Sequence, residues 1–151
     1  MPFSLAELIL SIGLLSDAGM EHLNAEEVTC LAQNIYHEAR GEPFRGRIAV
    51  AHVTLNRVES HLYPDTICGV VYEPDQFSWT VNGPSDLTEP AAFENALIVA
   101  IGAMSGLSED PTYGATHYFN PQKAKPHWSQ VYETTEVIGR HIFQRNDTRW
   151  R

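Results

Sequence analysis

A carboxyl group near the end of an apolar segment is the feature of the sequence best suited to acid–base chemistry. Glu38 follows a strongly apolar helical pattern and precedes Gly41, whose lack of a side chain lets a ligand approach the backbone. A carboxyl group at a helix C-terminus faces the negative end of the helix dipole, and partial burial adds desolvation. Both effects raise its pKa, which suits a general acid near neutral pH. The alternative is a solvated glutamate that simply ends a helix.

A second carboxylate, Glu42, follows four residues later between Gly41 and Pro43. These neighbours end the helix, so the two carboxylates are not expected to share a helical face. Two-carboxylate glycosidases require a set separation between their acidic groups, which the sequence leaves open. We therefore favour a structural role in which Glu42 binds backbone amides or Arg40, and keep it among the residues expected near the site.

Other reaction chemistries lack their characteristic residues. His37 and Glu38 have no second histidine at the spacing of a zinc-protease helix, and the remaining histidines are scattered, so we predict no metal site and no cofactor. The G-x-S-x-G nucleophile motif and glycine-rich phosphate loops are absent from the sequence. The two cysteines, Cys30 and Cys68, are compatible with one disulfide or with two reduced core thiols.

Aromatic rings stand among amides and hydroxyls in three parts of the sequence. Sugar faces stack on aromatic rings, while amides and hydroxyls bind N-acetyl and hydroxyl groups, so this mixture indicates a carbohydrate-binding cleft. The alternative is that some of these rings belong to the core, which suits Phe77 and Tyr118 better than Trp79 and Trp128. The candidate substrate-binding residues are Tyr36, Glu42, Gln76, Ser78, Trp79, Thr116, His117, Tyr118 and Trp128.

The charge of the chain limits its partners. The 151 residues carry a net charge of −9, which repels phosphate backbones and argues against nucleic acid as a partner. The apolar run near the N-terminus is interrupted by Glu7 and Asp17, so we expect an amphipathic helix over residues 1–22, with neither a secretory signal nor a stable membrane insertion. We expect a monomer.

Helical patterns dominate the first two thirds of the chain. Asn24 and Glu27 have capping-box spacing before a helix that should stop at Arg40 and Gly41. Further helices are predicted from Phe44 to Arg57 and, after a cap at Thr88, from Pro90 to Ser105 and Gly106. Residues 66–72 form a short helix or strand, and residues 73–89 form a loop with a short strand inside it.

The last third is rich in aromatic and β-branched residues, which favours short strands at residues 116–119, 128–132 and 136–144. The fold class is therefore α+β: one domain over residues 1–151, mostly helical, with a small antiparallel sheet in its C-terminal part.

The sequence also resembles a known family, the spore-cortex-lytic, germination-type cell wall hydrolases. The resemblance begins at Asn-Ile-Tyr-His-Glu-Ala-Arg-Gly-Glu-Pro, residues 34–43, and continues through residues 49–58 and 64–72. It includes Gln-Phe-Ser-Trp at residues 76–79, Gly-Ala-Thr-His-Tyr at residues 114–118 and residues 138–143. The resemblance covers residues 26–144, which we take as the core of the catalytic domain.

The resemblance implies a lysozyme-like domain that cuts peptidoglycan glycan strands, with Glu38 as its catalytic glutamate. Many relatives carry cysteines flanking the Gln-Phe-Ser-Trp stretch, where this chain has Asp75 and Val81. The product would be that of a lytic transglycosylase or a muramidase. An amidase-type wall hydrolase and a non-catalytic peptidoglycan-binding module are the alternatives. Without a signal peptide, we expect an endolysin-like enzyme held in the cytoplasm until release, or export by another route.

Overall fold

The computed structural model describes residues 23–81 and 87–146 of the chain. The amphipathic helix predicted over residues 1–22 lies outside these residues. Within the two described ranges, four α-helices come first and a three-stranded antiparallel sheet follows. This order confirms the predicted α+β class.

Helix α1 spans Ala25–Ala39 and carries Glu38 in its last turn. Its N-cap is Asn24, whose side-chain oxygen accepts hydrogen bonds from the backbone amides of Glu26 (2.8 Å) and Glu27 (3.1 Å). The helix starts and stops where the sequence predicts. Its N-terminus uses the asparagine half of the predicted capping box, since the Glu27 carboxylate binds elsewhere.

The Glu27 carboxylate instead caps the short helix α3, Ile67–Val71. Its two oxygens accept hydrogen bonds from the backbone amides of Ile67 (2.7 Å) and Cys68 (2.9 Å). A disulfide between Cys30 and Cys68 joins α1 to α3 one turn further along. The structure therefore selects the disulfide over the two reduced thiols, and residues 66–72 are helical rather than extended.

The two other helices pack against α1. Helix α2 spans Phe44–Glu59 and follows Pro43, and helix α4 spans Pro90–Met104. The predicted cap at Thr88 is wrong, because Glu89 occupies the N-cap position without a side-chain hydrogen bond. The apolar faces of α1 and α4 form most of the main core, which includes Val28, Leu31, Ile35, Leu97 and Ala100.

The sheet has the order β1–β3–β2, with strands His117–Phe119, Glu133–Ile138 and His141–Arg145. The single strand predicted over residues 136–144 is in fact a hairpin. Gly139 makes its turn with a φ of +58°, a conformation in which an added Cβ would lie 2.5 Å from the Glu42 carboxylate.

Two other strand predictions are corrected. The strand expected at residues 128–132 is a 3₁₀ helix, His127–Gln130, and the strand expected inside the loop after α3 is the 3₁₀ helix Ser78–Thr80. In both segments the aromatic side chains pack against other rings rather than in a sheet ladder. Aromatic composition was therefore misread as strand propensity.

A second, smaller core connects the helices to the sheet. Ala39 of α1, Val50 and Val53 of α2, and Ile138 and Phe143 of the sheet are all buried in it. This core fixes the last turn of α1 against the hairpin, and so positions Glu38 beside strand β1. No helix in the described part of the chain is long and apolar enough to cross a membrane.

Candidate active site

Glu38 lies at the centre of a cleft between α1, the loop after α3 and the sheet. It lines three adjoining cavities, and its neighbours in them include Gln76, Ser78, Tyr118 and Trp128. The open-water alternative for this glutamate is therefore not what the structure shows. A half-buried carboxyl group in a concave site is positioned to meet a ligand.

The Glu38 carboxyl group has one direct hydrogen-bond partner across the fold. The Tyr118 hydroxyl donates to Oε1 of Glu38 at 2.8 Å, although the two residues are 80 positions apart. Burial, followed by the nearby Glu38 carboxyl group, raises the pKa of Tyr118 well above its usual 10. The tyrosine therefore keeps its proton and always acts as a donor to Glu38.

Burial raises the pKa of Glu38 above its usual 4.5. Three groups oppose this rise: the hydrogen bond from Tyr118 and the positive charges of Arg57 and Lys123. Desolvation is the largest of these effects, so the pKa of Glu38 is raised, in the direction that the sequence predicted. The cleft thus supports a carboxyl group that holds a proton yet is close to groups that stabilise its anion after the proton leaves.

Glu42 is fixed by the hairpin and is not free to act as a second acid or base. Its carboxylate accepts hydrogen bonds from the Arg140 backbone amide at 3.0 Å and from Nε of Arg140 at 2.8 Å. Burial raises the pKa of Glu42, but the hydrogen bonds from Arg140 and the nearby positive charges together outweigh burial. The pKa of Glu42 therefore lies below its usual value. The predicted backbone-amide contact is found, while Arg40 pairs instead with Glu89 at 2.6 Å.

Arg57 is a central residue of the cleft that the sequence reading missed. Although charged, it is 5% exposed on α2. Its Nε donates to the Thr116 carbonyl at 2.7 Å, and one Nη donates to Oε1 of Gln76 at 3.0 Å. Because an arginine is purely a donor, the Gln76 oxygen must face Arg57, and its amide N–H₂ is left to face the exposed side. An arginine inside an apolar helical pattern was the available signal.

The aromatic wall on the sheet side consists of His117 and Trp128. Their ring centroids lie 4.7 Å apart, and His117 also contacts the Tyr132 ring at 4.9 Å. Burial, helped by the charge of Arg57, lowers the pKa of His117 to about 4, so the imidazole is neutral at physiological pH. The wall therefore presents flat, uncharged rings suited to stacking on sugars.

Three predicted substrate-binding residues do not line the cleft. Tyr36 is fully buried and its hydroxyl accepts a hydrogen bond from the Glu89 amide at 3.0 Å, so it cannot stack on a sugar. Thr116 is also fully buried, and its hydroxyl binds Asn146 at 2.7 Å. The Trp79 ring stacks on His37 at 4.6 Å and supports the cleft from behind. Tyr36 and Thr116 therefore belong to the framework of the fold, while a contact between Trp79 and substrate stays a prediction.

Asn34 ties this framework together one turn before Glu38. Its side-chain oxygen accepts a hydrogen bond from Nε1 of Trp79 at 3.1 Å, and its amide lowers the pKa of the nearby Tyr118. Asn34 is fully buried, so its hydrogen bond holds the Trp79 side chain in place against α1.

Metal ligation was tested on the one group of suitable side chains among residues 23–81 and 87–146. Glu27, Cys30 and Cys68 lie within 4.8 Å of one another. The two sulfurs are joined in a disulfide, and the carboxylate already accepts two backbone amides. This group therefore does not fit a metal ion.

Comparisons with known proteins agree with this geometry. Residues 41–144 match the Cell Wall Hydrolase family. The chain belongs to that family. The matched range begins three residues after Glu38, so the role of Glu38 rests on the cleft itself rather than on this match.

The cell wall hydrolase has relatives of greater length. It is 40% identical over 117 residues to the spore cortex-lytic enzyme of Halalkalibacterium halodurans, which covers 78% of this chain and 34% of the relative. It is 37% identical over 117 residues to the spore cortex-lytic enzyme of Bacillus subtilis, with 78% and 37% covered. The chain thus spans little more than a third of the length of these two proteins.

Two solved structures share the fold of this cell wall hydrolase. The catalytic domain of the Bacillus cereus SleB protein has a TM-score of 0.67 and 37% identity, over 81% of this chain and 91% of that one. The catalytic domain of the germination-specific lytic transglycosylase SleB from Bacillus anthracis has a TM-score of 0.69 and 36% identity, with 82% and 98% covered. These matches confirm the lysozyme-like fold that the resemblance implied.

Proposed function

We propose that this cell wall hydrolase cuts peptidoglycan glycan strands at the β-1,4 bond between N-acetylmuramic acid and N-acetylglucosamine. The observation that carries the proposal is the half-buried Glu38, held by Tyr118 in a cleft walled by aromatic rings. Its similarity to a spore cortex-lytic enzyme and to a germination-specific lytic transglycosylase supports the same substrate class.

The proposed reaction uses one carboxyl group twice. Glu38 donates its proton to the glycosidic oxygen, and the bond from that oxygen to C1 of the muramyl residue breaks. The positive charge that develops at C1 is stabilised by the Glu38 carboxylate. Glu38 then takes the proton of the muramyl 6-hydroxyl, whose oxygen bonds to C1. The products are a 1,6-anhydromuramyl end and a free 4-hydroxyl, and Glu38 ends protonated.

We favour this lytic transglycosylase route over a muramidase route because it needs only the one carboxyl group of Glu38. Glu42 accepts two hydrogen bonds from Arg140, so its carboxylate is not free to act as a separate base that activates water. An amidase route needs a metal or a nucleophile, and the described residues offer neither a fitting metal site nor a free thiol.

Product analysis tests the proposal. Mass spectrometry of digested glycan strands should find 1,6-anhydromuramyl ends; reducing ends in their place would assign a muramidase, and free stem peptides would assign an amidase. Binding without release of soluble fragments would indicate a non-catalytic module.

A variant test accompanies the product analysis. Glu38→Gln should lower turnover by about a hundred- to ten-thousand-fold, because the proton donor is lost. Glu94→Gln, an exposed position on α4, is the matched control and should keep full activity. Retained activity in Glu38→Gln would end the assignment.

The cellular setting stays a prediction. The Cys30–Cys68 disulfide favours a final location outside a reducing cytosol, since disulfides persist mainly in oxidising compartments. Both an endolysin and an exported wall-remodelling enzyme meet this condition. Lysis that begins only after the membrane is permeabilised would favour the endolysin.

A further inference from the structure

The cleft continues past Glu38 into a cavity that carries further charged side chains. Besides Glu38, Tyr118 and Trp128, this cavity is lined by the segment after β1 and by the β2–β3 hairpin. Lys123 comes from the first and Arg140 from the second. Because the sugar rings of a glycan strand carry no charge, cations in this cavity point to a charged substituent of the strand.

Most charged groups of this cavity are neutralised within it. Arg140 and Glu42 form an ion pair at 2.8 Å, so their charges cancel. Burial lowers the pKa of His141, and the charges of Arg140 and Lys123 lower it further against the effect of Glu42. Burial raises the pKa of Glu38, and the charge of Lys123 opposes that rise. Among the residues that the structure describes, Lys123 is therefore the cation of this cavity whose charge is not cancelled by an ion pair.

Lys123 is held in place by its backbone while its side chain stays available. The backbone amides of Lys123 (2.9 Å) and Ala124 (3.0 Å) donate to the Asn120 carbonyl, and the Gln122 amide donates to the Asn120 side chain at 2.9 Å. Across residues 23–81 and 87–146, no carboxylate forms an ion pair with Lys123. The residue is exposed, and its charge acts on both Glu38 and His141.

We propose that Lys123 binds a carboxylate of the glycan strand, and so selects strands whose muramyl residue carries a negative charge beside the bond that is cut. This inference rests on the proposed function for its substrate. Muramyl residues carry a lactyl ether at O3, and its carboxyl group is either free or joined to a stem peptide that has carboxylates of its own. The hydrogen-bonded turn at Asn120 holds the Lys123 backbone at the cavity that Glu38 also lines, and an ammonium group there can bind a carboxylate.

Binding measured without turnover tests the proposal directly. The Glu38→Gln protein serves as the background, and three kinds of strand are compared: strands with stem peptides, strands freed of peptides, and strands whose carboxylates are converted to methylamides. Lys123→Gln should raise the Kd for charged strands by about two- to five-fold, as for an exposed ion pair, and leave the Kd for the methylamide strands unchanged. Lys123→Arg should retain binding.

Lys125→Gln provides the matched control, because Lys125 is exposed two residues away and does not line the cavity. It should leave every Kd unchanged. Loss on peptide-free strands alone would identify the lactyl carboxylate, and loss on peptide-bearing strands alone would identify the stem peptide. An equal loss on methylamide strands, or an equal loss in Lys125→Gln, overturns the proposal.

Turnover by the unmodified chain separates this inference from the proposed function. In that protein, Lys123→Gln should raise KM more than it lowers kcat on charged strands. If no strand is cut but the Lys123-dependent binding persists, the proposed reaction fails while the carboxylate site stands. If strands are cut and binding ignores Lys123, the reaction stands and the carboxylate site fails.

Discussion

At the residue level, the protonation of Glu38 results from a balance between burial and three groups that favour its anion. Burial raises its pKa, while the Tyr118 hydroxyl, Arg57 and Lys123 lower it. A proton donor must hold its proton before the reaction and release it during the reaction, and this arrangement serves both needs. The sequence predicted the burial from the apolar pattern of α1. It pointed to Tyr118 as a candidate substrate-binding residue, but not to the hydrogen bond that this tyrosine donates to Glu38 from 80 positions away.

The pH dependence of activity should report this balance. In the proposed reaction Glu38 begins in its protonated form, so activity should fall as pH rises through the raised pKa of Glu38. Tyr118→Phe removes a hydrogen bond that lowers this pKa, so the alkaline limb of the kcat profile should move to higher pH. Tyr113→Phe, an exposed ring, should leave the limb in place. A limb that moves to lower pH would contradict this account.

Arg57 provides a second test at this level, because its guanidinium group binds Gln76 of the cleft loop and Thr116 beside the sheet. Arg57→Lys keeps the charge but cannot make both bonds, to Thr116 and to Gln76. We expect a loss of about 2–4 kcal/mol in the free energy of unfolding, measured by urea denaturation. We also expect a higher KM, measured by steady-state kinetics.

The control for Arg57 is Arg45→Lys. Arg45 is more than half exposed and lies 3.9 Å from Glu136, so its replacement should change stability by less than about 0.5 kcal/mol. Equal effects of the two substitutions would show that the two hydrogen bonds of the buried Arg57 guanidinium do not add to stability.

At the level of elements, the cleft loop depends on the short helix α3, which buries Ile67, Val70 and Val71. Helix α3 contains five residues and is held to α1 by the Glu27 carboxylate and by the Cys30–Cys68 disulfide. The loop that carries Gln76 and Ser78 follows it directly. Attachment of α3 therefore determines where that wall of the cleft stands.

The disulfide should contribute substantially to stability. It closes a loop with a sequence separation of 38 residues, for which chain entropy predicts about 4 kcal/mol. Reduction of the native protein should lower the free energy of unfolding by about 2–4 kcal/mol in denaturant titrations. The Cys30→Ser/Cys68→Ser double variant should be equally destabilised and should not respond to reductant. A wild-type protein indifferent to reductant would contradict the prediction.

The elements also show which parts of the fold the sequence could predict. The long helices α1, α2 and α4 were predicted within two residues at most ends, because their apolar spacing and capping residues are local signals. The segments at Ser78–Thr80 and His127–Gln130 were predicted as strands and are 3₁₀ helices. Their aromatic rings pack against other rings near the cleft, and amino-acid composition alone does not distinguish such packing from strand formation.

At the scale of the whole molecule, the cost of keeping Glu38 buried should appear in the pH dependence of stability. Its folded pKa is raised above its usual 4.5, so its stabilising contribution is fully present below the unfolded pKa and is lost as pH rises through the folded pKa. Glu38→Gln has no proton to lose. The variant should therefore unfold at a higher temperature than the wild type at pH 7, with the difference shrinking towards pH 4.

Calorimetry across this pH range measures the effect, and Glu94→Gln on the exposed face of α4 is the control. A Glu38→Gln protein that is less stable than wild type at pH 7 would show that the carboxylate is stabilising, contrary to its burial. The site would then need a different explanation for its protonation.

The functional residues come from both ends of the described chain. Glu38 meets Tyr118, Glu42 binds Arg140 across 98 positions, and Thr116 pairs with Gln144. Local patterns could not reveal such pairs, which explains why Arg57, Lys123 and Arg140 were missed while Glu38 was found. Long-range contacts decide which candidates line the cleft and which, like Tyr36, support it from the core.

The bond between Glu42 and Arg140 has a consequence for how the protein is made. A growing polypeptide that has not yet reached residue 140 contains Glu38 but lacks the partner that holds Glu42, and one that stops before residue 118 lacks the tyrosine as well. The acid group and its surroundings therefore come together only when the final strand folds back. We therefore expect a chain that ends before the hairpin to be inactive, because Arg140 and the strands beside Tyr118 would be incomplete.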